Sequence, residues 1–216
     1  MDCPHCSTPL APAQNRCVDC GFDAAALAAY LGTEWVRLRR INDAAHCLRL
    51  EESRKLEVLL DDLERQFPQV FAAVYFGALP PRVNPLEMGM WLLNHGAFAT
   101  HLFAKRNEFG LVYVVDPAAG SHGLVIGYGL EAVLPARQTA RLLGSLAPSL
   151  KAGRWARAVE LLVGGFSSKL RKHANRSRRN VESAPPPRTG SAGDYGFEPL
   201  RKGHRHSGGK SAPAPK

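Results

Sequence analysis

Four cysteines within the first twenty residues, MDCPHCSTPLAPAQNRCVDC, constrain this chain more than any other feature of its sequence. Cys3, Cys6, Cys17 and Cys20 form the pattern C-x2-C-x10-C-x2-C. Each C-x-x-C turn aims two sulfurs at a common centre while backbone N–H groups hydrogen-bond them, so four thiolates close a tetrahedron around zinc. Pro4 and Gly21 suit such turns. A pair of disulfides is disfavoured in a reducing compartment, and a redox C-x-x-C lacks the βαβ context it needs. A ribbon this short has almost no apolar core, so bound metal would supply its folding free energy. Four cysteine ligands leave no position for water or substrate, which makes the expected zinc structural rather than catalytic. Cys47, in NDAAHCLRL near the start of a helical pattern, is left over and reads as a buried free thiol rather than a nucleophile.

From about residue 34 to 170, helical and strand patterns alternate. Leu56, Leu59, Leu60, Leu63 and Phe67 share one face of a helix that Pro68 stops. QVFAAVYFG follows as a strand apolar on both faces, suited to a sheet covered on both sides. In NPLEMGMWLLNHG, Asn84 is placed to cap a helix, Pro85 to occupy its first turn and Glu87 to complete a capping box. FGLVYVVD and HGLVIGYG are two more strands, joined by the hairpin-length PAAGS. Two helices follow, one opening at Pro135 and one through RWARAVELLVGGFSSKLRK, where Trp155, Val159, Leu162, Val163 and Phe166 share a face. The order predicts a mixed sheet between helical layers, not a fully parallel doubly wound one. Gly127 and Gly129 flank Tyr128 at a strand end, where two glycines allow positive φ and a sharp exit of the chain. A phosphate loop would need a Lys and a Ser/Thr after the glycines, and neither follows.

Charge divides the chain. Residues 1–168 carry 16 Lys/Arg against 16 Asp/Glu, and residues 169–216 carry 12 against 3, so the tail holds the whole net charge of +9. From residue 173 onward Pro, Gly, Ser and cations dominate, a composition that predicts disorder and nonspecific polyanion contact. No run approaches the ~18–20 apolar residues of a membrane helix, and cysteines stand where a signal peptide would be apolar. The chain therefore reads as cytoplasmic, without a transmembrane segment.

GLVIGYGLEAVLPARQ followed by LAPSLKAGRWARAVELLVGGFSSKL resembles the signature end of the TPM family, and NDAAHCLRLEESRKLEVLLDDLERQF resembles the family's opening Asp and first long helix. The resemblance covers about residues 40–170 and is most specific in the Gly-Tyr-Gly-Leu-Glu segment and the later Gly-x-Trp. It implies an α/β/α sandwich with a mixed four-stranded sheet, here preceded by a small zinc ribbon and followed by a disordered basic tail. The expected division is a ribbon over 1–22, a connector over 23–39, a TPM-like domain over 40–172 and the tail over 173–216. Within the family, some members have acid phosphatase activity and bind divalent cations in an acidic cleft, and others are non-enzymatic partners of membrane complexes.

Carried over residue by residue, Asp43 stands at the family's opening Asp, which contributes to the cleft. Asn107 and Glu108, followed by Phe109 and Gly110, occupy the family's Asp/Asn-Asn-Gly approach to the central strand. Ala136 stands where the family has an Asp shortly after the Gly-Tyr-Gly-Leu-Glu segment. With that carboxylate missing, calcium or magnesium is expected to bind weakly unless Asp116 or Glu108 compensates. Asp43 and Glu108 are the candidate catalytic residues. Glu131 either lines the cleft or pairs with an Arg. His95 and His101, six apart, fall on different helix faces, Asp61 and Asp62 read as a solvated face, and His204 and His206 read as part of the tail. The reading that results is a non-enzymatic or degenerate module for an unidentified protein partner, with a structural zinc site. The alternatives are a divalent-metal-dependent acid phosphatase and a nucleic-acid-binding accessory protein.

Overall fold

The structure, a computed structural model, describes residues 2–11, 14, 16–98 and 106–182. Its centre is a four-stranded sheet of β2 (Ile41–Asp43), β3 (Phe71–Phe76), β5 (Gly110–Asp116) and β6 (Ser121–Ile126), in the order β2-β3-β5-β6. The first three strands are parallel and β6 runs antiparallel to β5. The sheet is mixed, as the pattern of elements predicts.

Alternation along the central strands assigns each side chain to a layer. Ala72, Val74, Phe76, Leu111, Tyr113 and Val115 point to a face covered by α2 (Leu50–Gln66), α5 (Ala136–Lys151) and α6 (Trp155–Glu182). Phe71, Ala73, Val112 and Val114 point to the opposite face, covered by α1 (Ala24–Leu31) and α3 (Pro85–His95). Leu56, Leu60 and Leu63 of α2, and Val159, Leu162 and Phe166 of α6, are buried in the first layer, as their helical spacing requires. The result is an α/β/α sandwich. Because β2→β3 and β3→β5 step in the same direction while α2 and α3 lie on opposite faces, the two crossovers have opposite hands. One of them departs from the usual right-handed preference.

The capping box at α3 is present: Asn84 Oδ1 accepts from the N–H groups of Leu86 and Glu87, and Glu87 Oε2 accepts from Asn84 N–H. The β5–β6 hairpin turns at Gly120, whose φ of 64° lies in the left-handed region. A separate two-stranded parallel pair joins β1 (Val36–Leu38) to β4 (Gly96–Phe98), and the short α4 (Arg106–Phe109) leads into β5.

Two expectations change. Gly127 has φ −67° and neither it nor Gly129 adopts positive φ. A 3-10 turn over Tyr128–Leu130 carries the chain out of β6 instead. Gly129 is needed for close approach: a Cβ there would meet Phe109 Cε1 at 2.7 Å and the Glu108 carbonyl oxygen at 2.9 Å. The second change is at the C-terminus, where α6 runs to Glu182, beyond the expected boundary at 173. Helix-favouring Ala and Arg in HANRSRR, with cations in the last turns where the helix dipole favours them, extend it. Residues 183–216, with His204 and His206, lie outside the described residues, as does His101.

Candidate functional site

The four cysteines come together as their spacing predicts. Cys3 and Cys17 are buried, and each begins an equivalent turn: Cys3 N–H donates to Thr8 O and Cys17 N–H to Phe22 O, both at 2.8 Å. Ser7 N–H and Gly21 N–H close the turns back onto Cys3 O and Cys17 O. Each turn then passes through a left-handed residue, Ser7 at φ 63° and Gly21 at φ 75°. All four Sγ atoms lie within 4.8 Å of one another, with Cys3–Cys20 at 3.7 Å and Cys6–Cys17 at 3.6 Å. A zinc–sulfur bond of about 2.3 Å gives a tetrahedral S···S edge of about 3.8 Å, which these two separations approach. Hydrogen bonds with Thr8, side chain and backbone, lower the Cys6 thiol pKa to about 6, whereas at Cys20, against a backbone hydrogen bond with Phe22, burial and the neighbouring thiols push the thiol up to about 12. Among the described residues this is the one group of three or more His, Cys, Asp or Glu that could hold a metal ion, zinc being such a metal.

The first cysteine turn is fastened to the domain by contacts that the sequence pattern does not announce. His5, inside the first C-x-x-C, places Nδ1 2.8 Å from Glu87 Oε1, and Asn84 Nδ2 donates to Pro4 O at 3.0 Å. Glu87 is only 4% exposed and serves two elements, the cap of α3 and the docked turn. The capping pattern in the sequence points to Glu87, but its second partner comes from 82 residues away. Beside this contact lies a cavity of ≈510 Å³ lined by Cys3, Pro4, Leu86, Met90, Leu134 and Ala136 among others, with Glu131 on its wall.

The carboxylates do not converge. Asp43 ends β2, level with Phe76 and Val115 at the carboxyl ends of the parallel strands. It lines a cleft of ≈890 Å³ together with Arg37, Arg39, Asn42, Ser53 and Tyr75, where α/β sheets commonly bind ligands. Both Asp43 oxygens are engaged: Oδ1 accepts from Cys47 N–H at 3.0 Å and Oδ2 from Leu48 N–H at 2.8 Å. Glu108 lies before Gly110, at the other end of β5, and the run from Gly110 to Val115 alone spans about 16 Å. There Glu108 hydrogen-bonds Tyr128, which raises the Tyr128 phenol, with burial adding to the shift. Asn107 shares α4 with Glu108.

Asp116 is engaged by the turn between β5 and β6 and by the chain after β3. It is 6% exposed, its Oδ1 accepts from Ala118 and Ala119 N–H and its Oδ2 from Leu79 N–H, each at 3.0 Å. Burial works against its charge, yet these three amides hold its pKa below the ordinary carboxylate value. Asp61 is not simply solvated: Arg40 bridges it and Glu64, while Asp62 pairs with Arg65. His95 stacks on Trp91 with ring centroids 5.5 Å apart and reaches the Trp91 carbonyl.

Cys47 is half-buried, and burial first, then the neighbouring Asp43 carboxylate, pushes its thiol up to about 12. It stays protonated, as a structural thiol does. A pair not foreseen from sequence sits under the hairpin: buried Tyr113 places its hydroxyl 3.2 Å from His122 Nδ1. Burial raises the Tyr113 phenol and lowers His122 below the ordinary imidazole value.

Among the described residues no helix is long and apolar enough to cross a membrane. The TPM domain family model matches residues 41–168, from β2 into α6. Solved structures similar to the chain include two N-terminal domains. The solution NMR structure of the N-terminal domain of the cg2496 protein from Corynebacterium glutamicum is 15% identical, covers 60% of this chain and 78% of that one, and has a TM-score of 0.47. That of the N-terminal domain of a protein from P. gingivalis is 20% identical, covers 61% of this chain and 82% of that one, and has a TM-score of 0.48. No curated protein matches the chain.

Proposed function

The chain belongs to the TPM domain family, and from that membership we propose that it works as a protein-interaction module stapled by a structural zinc ion, rather than as a metal-dependent phosphatase. The arrangement of the carboxylates carries this reading. A hard cation takes six or more oxygen ligands, several of them charged. Asp43 and Asp116 commit both of their oxygens to backbone amides, and Glu108 lies at the opposite end of the sheet. Ala136, the position at which the family resemblance places a further Asp, lines the cavity beside Cys3 and not the Asp43 cleft, so it adds no carboxylate to Asp43. Metal-dependent phosphate-ester hydrolysis then lacks the clustered carboxylates that would hold its cation, and Arg37 and Arg39 are the cationic side chains lining the Asp43 cleft.

We assign zinc to Cys3, Cys6, Cys17 and Cys20, a closed ligand set with no position for water. The proposed division is a ribbon over 1–22, a connector over 23–39, the TPM domain over 40–172 and a basic tail over 173–216, whose first ten residues continue α6 to Glu182. His5 and Pro4 couple the ribbon to the start of α3, so a partner meets the ribbon and the domain as one surface.

The test measures zinc content and p-nitrophenyl phosphate turnover, with calcium or magnesium added, on one preparation of the full chain and of Cys17→Ser. We expect one zinc per chain, its loss from Cys17→Ser, and turnover no higher than buffer. Equal zinc in both proteins overturns the ligand set, and cation-dependent turnover overturns the non-enzymatic reading.

A further inference from the structure

We propose that the C-terminal part of α6 is a binding element for duplex nucleic acid, gripping the phosphate backbone without reading sequence. Leu170 is the last core residue on α6, and the helix continues to Glu182. At 1.5 Å per residue the extension is about 18 Å long. Arg171, Lys172, Arg176, Arg178 and Arg179 are exposed along it, and no acidic residue occurs between Glu160 and Glu182. Among the side chains the structure describes, which end at Arg179, none of these five cations pairs with a carboxylate, and Arg171 makes a 3.2 Å hydrogen bond to Ser167.

Helical spacing sorts the charges into two stripes. Lys172, Arg176 and Arg179 follow i, i+4, i+7, and with Lys169 they form one stripe. Arg171 and Arg178, seven apart, form a second stripe roughly 120° around the helix. A helix is about 10–12 Å across and the major groove of a duplex is about 12 Å wide, so two flanking cationic stripes face its two phosphate walls. An anionic membrane is the poorer match. An interfacial helix needs a continuous apolar face with Trp, Phe or Leu, and RKHANRSRRN offers only Ala174.

The experiment uses the full chain and a 20-base-pair duplex, with affinity measured from about 50 to 200 mM salt. Each phosphate neutralised contributes about −0.9 to the log–log salt slope, so the triple variant Lys172→Gln, Arg176→Gln, Arg179→Gln should flatten it by about 2 to 3 and weaken binding at least tenfold. A charge-matched tail variant, Arg201→Gln, Lys202→Gln, Arg205→Gln, should lose less. Ser177→Pro, which breaks the helix without changing charge, should also weaken binding. Circular dichroism of each variant checks that the domain remains folded. The proposal is overturned if the tail variant loses as much as the helix variant, or if Ser177→Pro binds like the parent. Binding to phosphatidylserine vesicles that exceeds duplex binding, and that the helix triple abolishes, overturns the choice of partner.

Discussion

Asp43 separates a fastener from a catalyst. Its two oxygens hold the N–H groups of Cys47 and Leu48 and so fix the bend between β2 and α2. A hydrogen bond to a charged group contributes about 1.5–3 kcal/mol. The bend is half-exposed and water replaces part of each bond, so about 1–1.5 kcal/mol per bond is the reasonable share. Asp43→Ala should therefore cost about 2–3 kcal/mol and lower the melting temperature by about 4–12 °C, at about 2–4 °C per kcal/mol for a domain of this size. Asp43→Asn keeps one acceptor oxygen and should lose about half as much. The assay is thermal unfolding followed by circular dichroism, with calcium titrated calorimetrically into the parent and Asp43→Asn. An Asn variant that melts like the parent but loses cation binding or phosphate-ester turnover present in the parent would refute the fastening role.

Gly129→Ala should destabilise by about 1–3 kcal/mol, because its Cβ meets both the Phe109 ring and the fixed Glu108 carbonyl. Chemical denaturation measures it, and an unchanged midpoint would contradict the close packing. Burial holds His122 below its ordinary pKa of 6.5, so its neutral form contributes stability that is complete above that pH and is lost as pH falls from there toward the lower folded value. Melting temperatures of the parent and His122→Gln between about pH 8 and 5 test this, with the variant expected to show the shallower acid-side decline.

What could be read from the sequence alone was local. The ribbon's turns, the two Cys pairs and the α3 cap depend on residues two to five apart, and backbone geometry determines where such neighbours point. The layers were equally legible, because strands apolar on both faces, such as Phe71–Phe76, require cover on both sides. What only tertiary structure decided was which distant groups meet. Strand register placed Asp43 and Glu108 at opposite ends of the sheet, although both read from the sequence as candidate catalytic residues. Packing gave Gly129 its reason through a carbonyl on another element, and the shape of a turn around buried Asp116 turned a candidate ligand into a hairpin clasp. A carboxylate's chemistry depends on which donors reach it. For Glu87, Asp43 and Asp116 those donors are set partly by neighbours in sequence and partly by the fold, and periodicity reports only the first.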